Sequence, residues 1–234
     1  DENYPFSYEV GDSLIIGYYG MEDSPRYCED RLVWFGNSLN KTQDVQFDPR
    51  DNSVCPLVFQ IMGNSDGYYV IDFARANIAM TLVRDNSVML EEGDIFVIGT
   101  GQAFAVIDAC SSSNRRSSTK QQASLKLLGL EGEFSGRMLT YNIHTKLSVS
   151  IGTRTEGYPK EIEFAEATDV DEFHARIFYD EGRCYLEDFQ TSNGTWLRLA
   201  NYNDWLDNKV TEPRSVKKGD VIAAGLYQFV VRSA

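Results

Sequence analysis

A single turn gathers the chain's densest group of short polar side chains. Thr191, Ser192, Asn193 and Thr195 carry hydroxyl and amide groups that donate and accept hydrogen bonds. Gly194 stands among them, and a glycine takes a positive φ without a Cβ clash. Such a turn either bonds to itself or presents its polar groups to a ligand, and both uses require a rigid turn.

The segments on both sides of the turn predict the elements that hold it. Tyr185 to Phe189 alternates as a half-buried strand does, and Trp196 and Leu197 begin a second apolar segment. We therefore predict a strand, a turn and a second strand. No part of the chain has convincing helical periodicity, so the predicted fold class is all-β.

Two more polar motifs precede this hairpin. Residues 151–154 read Ile-Gly-Thr-Arg, and residues 171–174 read Asp-Glu-Phe-His. A guanidinium such as that of Arg154 binds phosphate through paired hydrogen bonds. His174 has no serine or cysteine nucleophile motif beside it, so we expect it to be structural rather than catalytic.

With these motifs in this order, the second half of the chain resembles the forkhead-associated (FHA) domain family, a β-sandwich that binds phosphothreonine peptides. The family pattern is Gly-Arg, then Ser-x-x-His, then Asn-Gly-Thr. Residues 218–222 are also similar to the family's closing hairpin. The positions that match the pattern are Gly152, His174, Asn193, Gly194 and Thr195.

The resemblance implies that a peptide lies across three loops. In the family, the Arg and the Ser bind the phosphate, the His braces neighbouring backbone, and the Asn holds the peptide backbone. For Asn193, a role as a turn former bonded to its own main chain is an equal alternative. The candidate peptide-binding or phosphopeptide-binding residues are Thr153, Arg154, Asp171, His174, Thr191, Ser192 and Asn193.

The chain departs from the family pattern at the phosphate itself. Thr153 follows the glycine where the family has Arg, and Arg154 comes one place later. Asp171 stands at the Ser position, and Glu172 stands where a basic residue is common. A charge pair about 4 Å apart is worth about 1 kcal/mol in water and about 4 kcal/mol near a protein surface. Asp171 would therefore repel a phosphate or pair with Arg154, and we predict a weakened or lost phosphate site.

An internal repeat relates the first half of the chain to the second. Gly36, Ile61, Tyr69, Asp72, Phe73 and Asn77 recur 116 positions later. Residues 93–95 and Gly99 recur 126 positions later, because the second half has an extra polar and aromatic loop at about 201–209. We interpret the first half as a degenerate FHA-like domain without a phosphopeptide pocket. Its residues at the family's functional positions are Asn37, Cys55, Val58 and Asn77 to Ala79.

This interpretation predicts two β-sandwiches in tandem, at residues 1–110 and 123–234. Residues 111–122 are too polar to form a core and read as a flexible linker. Within the linker, Arg115 to Ser118 resembles a basophilic kinase site, although a solvated tether is the simpler explanation.

The distribution of charge limits the partners. The net charge is −13, with 18 acidic and 6 basic residues in 1–110, three basic residues in 111–122, and 17 acidic and 13 basic residues in 123–234. A negative field of this kind disfavours nucleic acid and anionic membranes. We expect protein or phosphoprotein peptide partners, with a basic segment favoured for the first half.

Composition predicts neither a cofactor nor a metal site. The four cysteines have no metal or redox spacing, and the chain has only two histidines. We expect free thiols in a reducing compartment, which places the protein in the nucleus or the cytoplasm. Because no initiator Met is present, we also expect the chain to be part of a larger protein. No apolar run is long enough to span a membrane. The chain has no phosphate-cradling glycine loop and no nucleophile motif, so we expect an interaction module and not an enzyme. The alternative function is a phosphothreonine-dependent signalling adaptor in which Arg154 and Asn193 bind the phosphopeptide.

Overall fold

The computed structural model describes the chain in twelve ranges. The described residues are 7–10, 14–18, 25–28, 32–36, 45–46, 58–64, 67–73, 80–83, 87–109, 124–142, 148–225 and 227–233. The predicted linker, together with Asn37, Cys55 and residues 77–79 of the repeat, lies outside them. The described part is mostly β-strand, as the sequence predicts.

The strands fall into an early and a late group along the chain. The early group is β1 Ser7–Val10, β2 Leu14–Tyr18, β3 Pro25–Cys28, β4 Leu32–Gly36, β5 Val45–Gln46, β6 Phe59–Asn64, β7 Gly67–Asp72, β8 Met80–Val83, β9 Val88–Leu90, β10 Ile95–Ile98 and β11 Gln102–Ala109. The late group is β12 Ser124–Gly129, β13 Met138–Asn142, β14 Ser148–Thr153, β15 Ile162–Phe164, β16 Ala175–Asp180, β17 Arg183–Asp188, β18 Thr195–Arg198, β19 Arg214–Val216, β20 Val221–Ala224 and β21 Tyr227–Ser233.

Residues Val83–Arg198 form one compact unit, called here the second unit. Its strands lie in the order β13-β12-β11-β10-β18 in one sheet and β15-β14-β16-β17-β9 in the other. Aromatic rings fill the core between them: the Phe104 ring stacks on Phe96 at 5.4 Å and meets the edge of Phe164 at 6.3 Å. The two sheets therefore make a β-sandwich with a continuous apolar core.

Residues Asp1–Leu82 and Leu199–Ala234 form the other compact unit, called here the first unit. One of its sheets has the order β19-β7-β6-β4-β5. Its other sheet has the order β8-β20-β21-β2-β1-β3, in which each strand pairs with its neighbours. Phe59 and Phe229 meet edge to face at 5.7 Å in its core.

Strand pairs of the first unit recur in the second unit 116 residues later. Val33 pairs with Ile61 in the first unit, and Val149 pairs with Ile177 in the second. The pairs between β6 and β7 recur between β16 and β17 with the same spacing. The two units thus share one strand plan down to the register.

The last strands of each unit come from the other part of the sequence. Tyr185 of β17 pairs with Met89, whereas Tyr69 of β7 pairs with Ser215. The same repeat spacing of 126 that relates the glycines relates Met89 to Ser215. Segment 88–109, from the first half of the sequence, therefore pairs in the second unit, and segment 214–233, from the second half, pairs in the first unit. The predicted domains 1–110 and 123–234 stay predictions about the sequence repeat, because the compact units contain different residue ranges.

A short helix occupies the segment predicted to be an extra loop. The helix spans Tyr202–Asp207, and the Asn201 side chain caps it by accepting the N–H of Asp204 at 2.9 Å. The Tyr202 and Trp205 rings stack at 6.1 Å. The loop prediction missed this helix because six residues are too few to show a helical period. No helix among the described residues is long and apolar enough to cross a membrane.

Cys184 corrects the expectation of free thiols. It is fully buried in β17 and disulfide-bonded. The side chains of the other cysteines, Cys28, Cys55 and Cys110, lie outside the described residues. Disulfides are rare in the cytosol and the nucleus, and the predicted intracellular localisation stays a prediction.

Candidate functional site

The end of β14 and the loop after β15 meet at a position that only glycine can occupy. A Cβ on Gly152 would lie 2.0 Å from the carbonyl oxygen of Glu172. The next residue, Thr153, donates its N–H to the Asp171 carbonyl oxygen at 3.1 Å. The glycine thus lets two of the three predicted site loops run side by side.

His174 joins these loops to the polar turn from inside the protein. Its side chain is fully buried, and Nδ1 accepts the Asp171 N–H at 3.0 Å. The ring proton is therefore on Nε2, which donates to the Gly194 carbonyl oxygen at 2.9 Å. Both nitrogens are used within the protein, which matches the bracing role that the resemblance implies and leaves no free nitrogen for a ligand.

The polar turn is held by the carboxylate of Asp188 at the end of β17. This carboxylate accepts the Thr191 N–H at 3.1 Å, the Thr191 hydroxyl at 2.8 Å and the Thr195 hydroxyl at 2.7 Å. Gly194 has a φ of 72°, the left-handed conformation expected of it. The predicted strand, turn and strand are confirmed, with Thr191 and Thr195 buried and unavailable to a partner.

Two more polar groups of the turn are bonded within the site. The Asp171 carboxylate accepts the backbone N–H of Ser192 at 3.0 Å. The Asn193 side-chain amide donates to the Asp169 carbonyl oxygen at 2.9 Å. Two donors that could face a ligand are thus bonded to the loop between β15 and β16, although both residues are exposed.

Arg154 lies apart from this network. Its Nε is 3.4 Å from a carboxylate oxygen of Glu163, and its side chain is 80% exposed. The guanidinium therefore pairs with Glu163. The pairing of Arg154 with Asp171, which the sequence had offered as an alternative, is not formed in the described part of the chain. Exposed ion pairs of this kind contribute about 0–1 kcal/mol.

The loops on either side of β15 together form an aromatic surface that the sequence analysis did not single out. The Phe173 and Tyr158 rings meet edge to face at 6.2 Å and are exposed by 51% and 64%. Behind them, the buried Lys160 donates to the Thr155 hydroxyl at 2.6 Å, and its ammonium lies 4.6 Å from the Phe173 ring centre. Two aromatic residues in otherwise polar loops were the signal that could have identified this surface.

A carboxylate from a distant segment supports the loop between β15 and β16. Glu133, in the 3₁₀ helix Gly132–Phe134, accepts the backbone N–H groups of Ala165 at 2.9 Å and Glu166 at 2.8 Å. Burial acts to raise the pKa of Glu133, but these bonds, a third from Ala167 and the charge of Arg137 together lower it.

Acidic groups outnumber basic groups around the candidate site. The only basic side chains in its loops at 154–161, 165–174 and 189–194 are Arg154 and Lys160, apart from the buried His174. The acidic residues in the same loops are Glu156, Glu161, Glu166, Asp169, Asp171 and Glu172. The site is thus an acidic rim around an aromatic surface.

Gly152, His174 and the Asn193-Gly194-Thr195 turn, with the bonds that join them, lie in a stretch of the chain that matches a family model. Residues 149–225 match the family model of the FHA domain. FHA domains are protein-interaction modules that typically bind phosphothreonine. A search of curated proteins finds no match to the chain.

The FHA match does not coincide with one compact unit. Residues 149–198 of the match lie in the second unit, and residues 199–225 lie in the first. The three predicted site loops all belong to the second unit, which is completed by β9, β10 and β11. The Arg154 side chain pairs with Glu163 and with none of the other candidate residues in the contacts described. It brings together Thr153, Asp171, His174, Thr191, Ser192 and Asn193.

Proposed function

We propose that the chain is an FHA-type interaction module that holds a polypeptide across its site loops, with phosphothreonine recognition weakened or lost. The loops are those of residues 152–154, 171–174 and 191–193. The observation that carries this proposal is the Asp171 carboxylate on the Ser192 N–H, because it puts a negative charge on a donor of the site.

Electrostatics makes this negative charge costly for a phosphate. A phosphothreonine carries nearly two negative charges at neutral pH, and each charge pair about 4 Å apart costs about 1–4 kcal/mol, depending on exposure. The compensating cation, Arg154, is paired with Glu163. The site thus favours a partner without a phosphate.

The aromatic surface offers a different source of affinity. Phe173 and Tyr158 are both more than half exposed and adjoin the site loops. Apolar area removed from water contributes about 25 cal/mol per Å². We propose that these two rings contact apolar side chains of the partner, while the exposed polar groups of Ser192 and Asn193 border its backbone.

We further propose that the chain contains two FHA-like repeats in tandem that exchange their last three strands. The common register at a spacing of 116, and the reciprocal places of 88–109 and 214–233, support this proposal. The first unit would serve as a packing partner or as a phosphate-independent docking surface. In this proposal the module acts by binding and carries out no catalysis.

One observation favours the alternative of a phosphothreonine-dependent adaptor. Arg154 is 80% exposed and is held by a surface ion pair, so a phosphate could recruit it at little cost. In that function Arg154 would bind the phosphate, and Asn193 would hold the peptide backbone.

Calorimetry distinguishes the two functions. The full chain is titrated with a phosphothreonine peptide library and with its dephosphorylated counterpart. We expect the two affinities to agree within about threefold, which corresponds to less than about 1 kcal/mol. Phosphorylated peptides that bind at least about tenfold tighter, with Arg154→Ala removing the difference, would establish the alternative.

A further inference from the structure

A turn from outside the FHA match reaches the centre of the candidate site. The turn is Gly99 to Gly101, between β10 and β11. Gly99 donates its N–H to the Gly194 carbonyl oxygen at 3.0 Å, the same oxygen that accepts the His174 ring proton. A Cβ on Gly99 would lie 2.7 Å from Asp169, so the approach requires a glycine.

Thr100 holds the second loop of the site. Its backbone N–H and its hydroxyl both donate to one carboxylate oxygen of Asp169, each at 2.5 Å. The carbonyl oxygen of Asp169 in turn accepts the Asn193 side-chain amide. One residue of the turn thus fixes the backbone segment on which the site's asparagine rests.

The repeat provides a comparison for this residue. At the spacing of 126 that relates Gly99 to Gly225, Thr100 corresponds to Leu226. A leucine has no hydroxyl and donates no side-chain hydrogen bond. A site completed by segment 214–233 instead of 88–109 would therefore lack the side-chain hydrogen bond that the Thr100 hydroxyl makes to Asp169.

We propose that Thr100 is a positioning residue of the candidate binding site, which is incomplete without the segment 88–109. Thr100 acts through Asp169 on Asn193, and Gly99 acts on the turn at Gly194. This role rests on the proposed function, because it concerns the loops that would hold the partner. It extends the site to a segment that lies wholly upstream of the FHA match at 149–225.

The pKa of Asp169 is shifted in the direction that this geometry requires. Burial acts to raise the pKa of Asp169, but the hydrogen bonds from the Thr100 hydroxyl and N–H and from its own backbone N–H oppose burial, and the pKa is lowered.

The test follows the Asp169 carboxyl carbon by NMR during a pH titration of the full chain. In Thr100→Val the hydroxyl donor is lost while the shape is kept, so the Asp169 midpoint should move up toward the ordinary value of about 3.9. Thr100→Ser should restore the original midpoint. Thr168→Val, at the exposed threonine beside Asp169 in the sequence, should leave it unchanged.

An Asp169 midpoint that is the same in Thr100→Val as in the original chain would overturn the proposal. Peptide calorimetry on the same variants keeps this outcome separate from the proposed function. A shifted midpoint with no peptide binding by any form refutes the function and leaves the positioning bond in place. A shifted midpoint with weaker peptide binding in Thr100→Val, restored in Thr100→Ser, supports both.

Discussion

The carboxylate of Asp171 accepts the backbone N–H of Ser192 at 3.0 Å, across two loops that are 21 residues apart in the sequence. The same residue donates its own N–H to Nδ1 of the buried His174. Asp171 is therefore both a brace of the site and its central negative charge. The stretch that matches the FHA family model thus places its own anion beside a donor of the candidate site.

Asp171→Ser should raise the affinity for phosphothreonine peptides at least about fivefold, because it removes one like charge worth about 1–4 kcal/mol and returns the family's Ser. A serine oxygen still accepts the Ser192 N–H, so the turn should keep its shape. Calorimetry with one phosphorylated peptide measures the change.

Glu172→Ser is the matched control for this substitution. Glu172 is the exposed neighbour of Asp171 and has the same charge, but no hydrogen bond joins it to the turn among the contacts described. It should change the affinity less than Asp171→Ser does. An equal gain from both substitutions would mean that net charge alone, and not the Asp171 position, excludes phosphate.

Gly152→Ala should destabilise the protein by about 1–3 kcal/mol or more, because the new Cβ would meet the Glu172 carbonyl oxygen. Gly101→Ala is the control, since a Cβ there has no neighbour within 4 Å. Urea denaturation of both variants measures the difference. Similar losses at the two glycines would contradict the close approach of the site loops.

His174→Leu should lower the free energy of unfolding by about 2–5 kcal/mol. The substitution leaves the Asp171 N–H without its ring acceptor and the Gly194 carbonyl oxygen without its ring donor. Thermal or urea denaturation measures the loss. A variant as stable as the original chain would refute the bracing role.

Acid should destabilise the protein through Glu133 and Asp169. Both carboxyls have a lowered pKa in the folded chain, so their stabilising effect is present above the unfolded pKa of about 4 and is lost as the pH falls through the folded pKa. The urea midpoint should fall between about pH 5 and pH 3, and Glu133→Gln should flatten that fall.

Glu156→Gln is the control for the acid experiment. Glu156 is an exposed carboxylate in a site loop and makes none of the backbone contacts described for Glu133. Its variant should keep the full acid dependence. If Glu133→Gln also keeps it, the bonds from the N–H groups of Ala165 and Glu166 do not stabilise the fold as described.

Local chemistry explains what the sequence could predict. Gly194 and its polar neighbours specify a turn through their own conformations, and the alternation before it specifies β17. The position of Gly152 and His174 follows from the family pattern, because each makes contacts that few other residues can make. These features are encoded in short motifs of a few residues each.

Long-range pairing explains what the sequence could not predict. The two segments 88–109 and 214–233 share a Gly-Asp and Gly pattern at a spacing of 126, so the sequence alone does not say which unit each segment completes. The Asp171 contact was also out of reach, because the direction of a side chain depends on which neighbours fold against it. Lys160 was missed for the same reason, since its burial under Phe173 depends on two separate loops.

The Ser192 amide resonance tests the central claim most directly. ¹H–¹⁵N spectra of the full chain are recorded while a phosphothreonine peptide or its dephosphorylated counterpart is added. We predict that the two peptides shift the Ser192 amide equally in the original chain, and that the phosphorylated peptide shifts it further only in Asp171→Ser, because only the variant frees the site of its internal anion. A larger saturable shift of the Ser192 amide with the phosphorylated peptide in the original chain would contradict the account.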